Sequence, residues 1–167
     1  MRARQLSGNK VGGVSETPDG IVLRPVEVAD LREILGELDE FWDERDMAFL
    51  HQAFYVHEFG ETSVLAQEHG EILAYLLGFV SQDGGGYVHA VAVRRRARGR
   101  GLARRLYERF GELVRERGAR SVKAITHPDN AGSRAFHEAL GFSVALVEDY
   151  SPSGGARLVF RRELDAV

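Results

Sequence analysis

The chain has 167 residues, 44% of them apolar and 28% charged, with a formal net charge of −3 and no cysteine. That size suggests one domain with a substantial core, while the missing cysteines exclude disulfides and thiolate metal sites. The slightly acidic balance disfavours a dedicated nucleic-acid binder, and no apolar run reaches the roughly 18 residues of a membrane-spanning helix. A cytoplasmic protein without membrane or nucleic-acid partners is the expectation.

Residues 1–20 read as a flexible tail, rich in Gly and Ser and lacking the apolar core of a signal peptide. A single domain over residues 21–165 follows. Ile21–Val26 carries the β-formers of a short strand. Asp30 is placed to cap a helix in which Leu31, Ile34, Leu35, Leu38, Phe41 and Trp42 recur at helical spacing. A second helix is expected over residues 46–59, with Phe49, Leu50, Ala53 and Phe54 inward. Two strands flank His69-Gly70, a turn signal, so they form a hairpin. Asp83–Gly86 is a loop, and Tyr87–Val93 ("YVHAVAV") is the next strand. Simple alternation puts Tyr87, His89, Val91 and Val93 on one face.

The following stretch, Val91–Leu106 ("VAVRRRARGRGLARRL"), holds seven arginines and two glycines. It then opens a helix whose stripe is Leu102, Leu106, Phe110, Leu113 and Val114, with Gly118 ending it. Ser121–Thr126 is a strand. Asp129 or Asn130 caps a helix that Gly141 ends, and two last strands surround "SPSGG". The order is β-α-α-β-β-β-α-β-α-β-β, an α/β domain with helices packed on a mixed sheet.

A strand that enters a glycine turn and then a helix is an anion site, because the first helical turn offers unpaired N–H groups and the positive end of the dipole. Glycine lets the backbone approach a phosphate, and Arg98 and Arg100 add charge. Neither the P-loop nor the dinucleotide pattern is present. Arg94, Arg95, Arg104 and Arg105 read more simply as solvated charge.

Arg98–Ala103 ("RGRGLA"), directly after "VAV", resembles the Arg/Gln-x-x-Gly-x-Gly/Ala motif of the GNAT acetyltransferases, through Arg98, Gly101 and Ala103. Asn130–Phe142 ("NAGSRAFHEALGF") resembles the second family segment, through Asn130, Phe136, Leu140, Gly141 and Phe142. The resemblance implies the single-domain GNAT fold, with a mostly antiparallel central sheet flanked by helices. It implies acetyl-coenzyme A as cosubstrate, held by Val91, Ala92, Val93, Arg98, Gly99, Arg100, Gly101, Leu102, Ala103, Asn130 and Phe136. It also implies direct attack by an amine, with the Val91 N–H as oxyanion donor.

His89, on the cofactor strand, is the candidate general base, since a neutral imidazole accepts a proton near pH 7. His137 stands where most relatives have a tyrosine acid; a histidine there can donate the proton or merely contact the cofactor. The acidic, aromatic segment after the first strand suggests that Trp42, Phe41 and Tyr87 touch the acceptor. The expected partner is a small-molecule amine, amino-acid or polyamine-like. A protein or peptide amine, and a non-catalytic acyl-coenzyme A-binding module, remain the alternatives. The last two strands offer edges for a homodimer, which many relatives form.

Overall fold

In the computed structural model, residues 13–152 and 154–165 are described. Among these described residues, eight strands form one sheet in the order β1-β2-β3-β4-β5-β6-β8-β7. They are β1 (Ser15–Glu16), β2 (Val22–Pro25), β3 (Val64–Glu68), β4 (Glu71–Val80), β5 (Gly86–Val93), β6 (Ser121–Thr126), β7 (Ser143–Val147) and β8 (Arg157–Glu163). Only β5 and β6 pair in parallel, which makes the sheet mixed and mostly antiparallel, as expected.

The helices are α1 (Val28–Gly36), α2 (Leu38–Trp42), α3 (Phe54–Phe59), α4 (Leu102–Glu116) and α5 (Ala131–Ala139). One buried cluster joins α4 to one face of the sheet through Leu102, Leu106, Phe110 and Val114. A second joins α1 and α2 to the other face through Leu31, Ile34, Phe41 and Trp42. The predicted α4 stripe is therefore the core stripe. Gly118, at φ 88°, ends α4: its N–H reaches Arg115 O, and the Ala119 N–H reaches Val114 O.

Four expectations change. The first twelve residues of the expected tail lie outside the described residues. Residues 13–20, however, form β1 and a turn, and Asp19 accepts two hydrogen bonds from Arg105 at 2.9 and 2.7 Å. Asp30 is not the N-cap. Glu27 caps α1, and Asp30 returns a bond to the Glu27 N–H while pairing bidentately with Arg24. The predicted first helix breaks at Glu37 into α1 and α2. The predicted second helix shrinks to a 3₁₀ turn at Ala48–Leu50 and α3, leaving Phe49 65% and Phe54 49% exposed.

A further change concerns β5. Leu77 faces Ala90 across the ladder, yet Gly78 faces Val88, so His89 is an extra, bulged residue. The bulge reverses the alternation. Val88, Val91 and Val93 pack on the α4 side, whereas Ala90 and Ala92 pack on the α1–α2 side. His89 stacks on Tyr55 of α3 and so shares the side of Ala90 and Tyr87, not that of Val91.

Candidate active site

The β5–β6 pairing covers only Gly86–Val88 against Val122–Ala124. Beyond it the strands diverge, and a cleft of about 570 Å³ opens between them. Its walls are residues 88–93 of β5, the end of β6, and residues of α4 and α5; Trp42, Met47 and Leu50 close the far side. The Arg94 N–H donates to Leu73 O on β4 at 2.8 Å. Strand alternation then turns the Ala90 and Ala92 backbone groups toward β4, and those of Val91 and Val93 toward the cleft. Of the three predicted strand contacts, Val91 and Val93 turn their backbone groups to the cleft, the Val93 carbonyl already accepting from Arg98 at 3.3 Å, and Ala92 does not.

The turn after β5 runs above this edge. Gly99 and Gly101 have φ of 80° and 76°, a left-handed backbone that side chains resist. No atom lies within 4 Å of a Cβ built on either, so backbone conformation and an open approach, not crowding, explain both glycines. Gly101 is the N-cap of α4, which leaves first-turn N–H groups unpaired beside Ala103 at the cleft wall. The Leu102 side chain is buried in the core, so only its backbone belongs to the turn. A splayed strand edge, an uncrowded glycine turn and a helix N-terminus fit an extended pantetheine arm with a pyrophosphate.

The arginines are mostly occupied. Arg94, expected in solvent, is 5% exposed; it bonds Ile72 O and Glu37 and lies 4.8 Å over the Phe41 ring. Arg95 and Arg98 share Asp43 at 3.2 Å, and Arg98 also donates to Phe41 O and Val93 O. Those two guanidinium groups hold the Asp43 carboxyl below the usual carboxylate range. Arg96 pairs with Glu71, Arg100 with Glu68 and Arg105 with Asp19. Arg98 lines the cleft; Arg100 does not. Glu37 and Asp43 of the acidic segment thus serve the arginine loop. Phe41, 2% exposed and edge-on to Tyr75, is core rather than cleft.

His89 is on the cleft wall. Its Nε2 lies 3.1 Å from Leu50 O. A carbonyl only accepts, so Nε2 carries the hydrogen and Nδ1 keeps the lone pair. Burial chiefly lowers its pKa from the ordinary value of about 6.5, so the ring is neutral at pH 7.

His137 is placed differently. It is 4% exposed and stacks on Phe160 at 4.0 Å. Its Nδ1 lies 2.7 Å from Ser133 O, and its Nε2 lies 2.7 Å from the Tyr107 hydroxyl. Nδ1 therefore donates, and Nε2 accepts the Tyr107 hydrogen. Burial lowers this pKa as well. Neither nitrogen is left with a proton to give.

Asn130 caps α5 by accepting from the Ser133 N–H at 3.0 Å and holds Thr126 at 3.2 Å. Phe136 lines the cleft. Tyr87 lies outside the cleft proper, in an adjoining cavity.

Sequence reading missed Tyr107, whose only signal is a polar tip inside an apolar stripe. It also missed His51. There the His51 Nδ1–H donates to Met47 O at 2.9 Å, Nε2 accepts from the Tyr75 hydroxyl, and that oxygen accepts from Trp42 Nε1, the last two at 2.6 Å. This buried chain fixes Trp42 at the cleft.

A splayed α/β sheet with a phosphate-type turn at the splay defines an acyl-coenzyme A transferase class. The chain belongs to the acetyltransferase (GNAT) family, whose model matches residues 28–142. Acetyl-coenzyme A is the acyl donor in this family. N-alpha-acetyltransferase 30 of Schizosaccharomyces pombe is 27% identical over 93 residues, 53% of this chain and 62% of that protein. The matched stretch thus spans less than two thirds of that relative's length. The ribosomal-protein-S18-alanine N-acetyltransferase of Escherichia coli superposes with a TM-score of 0.69 at 18% identity, covering 88% of this chain and 96% of that one. The Salmonella typhimurium protein yncA, solved with its cofactor acetyl-CoA, gives 0.63 at 21% identity, covering 87% and 95%.

Proposed function

We propose that this chain transfers an acetyl group from acetyl-coenzyme A to the primary amine of a small molecule, with His89 as general base. Bound acetyl-coenzyme A supplies the thioester acyl group. The Val91 and Val93 backbone would hold the pantetheine arm, and Arg98 with the Gly99–Ala103 turn the pyrophosphate. The observation that carries the reading is the His89 bulge. It aims a neutral imidazole at the cleft, pinned through Nε2–H to Leu50 O, with Nδ1 ready to take the amine proton. The Val91 N–H, on the same strand edge, faces developing oxygen charge. His137 is a positioning residue that orders Tyr107, not the acid.

An N-terminal peptide amine is the second reading, favoured by the similarity to N-alpha-acetyltransferase 30. The test is a mass-shift screen of amines and peptides with acetyl-coenzyme A, run on wild type and His89→Gln. A +42 Da product from wild type, strongly reduced in the variant, is expected. Coenzyme A binding without acetylation of any acceptor would make this a binding module and refute the proposal.

A further inference from the structure

A second cavity of about 330 Å³ adjoins the cleft, and Ile125 lines both. Alternation from Tyr87 puts His89 on the side of Tyr87 and Phe79, and the bulge adds Ala90 to that side while Val91 turns to the other. Phe79 and Tyr87 line this cavity and belong to a connected aromatic series that reaches His89 of the cleft. Tyr55 stacks on His89 with centroids 4.1 Å apart, and lies 4.1 Å from Phe54 and 6.1 Å from Phe79. Phe79 in turn meets Phe59 at 5.0 Å and Tyr87 at 5.3 Å. Tyr150, from the loop between β7 and β8, lines the cavity opposite. Phe54 and Phe59 of this series and Tyr150 of the cavity wall are 49%, 39% and 44% exposed, so large rings face water here. A monomer rarely leaves such a patch open except as a binding surface.

Charge narrows the ligand further. Among the described lining residues of both cavities, the one carboxylate is Asp83, and Lys123 pairs with it. The cleft itself carries Arg45 and Arg98. Glu37 and Asp43 of the acidic segment are bound to Arg94, Arg95 and Arg98. Among the described lining residues no unpaired carboxylate is offered to a second ammonium group, while an aromatic or branched apolar body would displace water from the Phe79, Tyr87 and Tyr150 rings.

We infer that the acceptor bears one primary amine within a few bonds of an aromatic or bulky apolar group, which seats on the Phe79–Tyr87–Tyr150 wall while the nitrogen reaches His89. This rests on the proposed function and names its substrate class. The group can arrive on a free amine or at the N-terminus of a peptide, and the wall chemistry is the same.

The test compares kcat/KM with acetyl-coenzyme A for 2-phenylethylamine, n-propylamine, spermidine, and tetrapeptides beginning with Phe or Gly. The aryl member of each pair is expected to lead, and spermidine to trail 2-phenylethylamine. The faster of the two aryl acceptors identifies the source. Phe79→Leu, which keeps apolar bulk, and Tyr150→Ala, on an exposed loop, are expected to lower the phenylethylamine-to-propylamine ratio about 2- to 10-fold, the worth of one aromatic pair. Spermidine as the preferred acceptor, or ratios unmoved in both variants, would overturn this inference while leaving the transferase reading intact. Failure to acetylate every amine would overturn both.

Discussion

Replacing Tyr75 by Phe removes one oxygen from the buried chain that fixes the cleft's far wall. Tyr75 is 0% exposed, His51 3% and Trp42 9%. The oxygen accepts from Trp42 Nε1 and donates to His51 Nε2, both at 2.6 Å. Its loss leaves a buried donor and a buried acceptor without partners. Each orphaned group costs about 1–3 kcal/mol, so the variant should lose roughly 2–6 kcal/mol. The Phe41 contact at 5.2 Å and the ring's packing survive, so little cavity cost is added. Urea unfolding reads the change directly, because Trp42 is the chain's single tryptophan. At about 1–3 kcal/mol per M of urea, the midpoint should fall by roughly 1 M or more. A loss below about 0.5 kcal/mol, typical of an unremarkable surface change, would refute the claim that this hydroxyl is satisfied by both partners.

Three further outcomes follow from the same geometry. Burial holds His51, His89 and His137 below their ordinary pKa, so the unfolded chain binds more protons between the folded values and about 6.5; stability should therefore fall as pH drops below about 6.5, and a urea midpoint unchanged from pH 7.5 to 5.5 would contradict this. His137→Phe strands the Tyr107 hydroxyl and should cost about 1–3 kcal/mol of stability while kcat falls less than about tenfold; a hundredfold fall in kcat at unchanged stability would instead make His137 the acid. Gly101→Ala, forced to φ 76° with nothing near its Cβ, should cost about 1–2 kcal/mol and weaken coenzyme A binding in calorimetry; unchanged affinity would remove the turn from the cofactor site.

Much of the fold was readable because its determinants are local. His69 and Gly70, at φ 51° and 86°, sit in the turn that their identities announce. The α4 stripe and the Asn130 cap follow from spacing and side-chain chemistry alone. What escaped depends on partners far along the chain. Asp30 sits one turn inside the helix as the capping-box partner of Glu27 and also pairs with Arg24, six residues back on another element. His51, by bonding Met47 O, sits just after the short 3₁₀ turn where a helix was expected. The arginines of the loop find carboxylates 23 to 86 positions away, so charge that looked free is spent. The bulge at His89 has no signature in "YVHAVAV". It is set by register against β4, where Gly78 leaves room for the Phe110 ring. That one residue puts Ala90, not Val91, on the side of His89, so the candidate base was legible from sequence but its surroundings were not.

The most direct measurement is the pH dependence of kcat/KM for acetyl transfer in wild type and His89→Gln, taken as a ratio. The acceptor's own ionisation is common to both and cancels. The ratio should be about 10²–10⁴ and constant above pH 7, and should fall below pH 6.5 as His89 gains its proton. A ratio near one, or one that does not change with pH, would contradict His89 as the base.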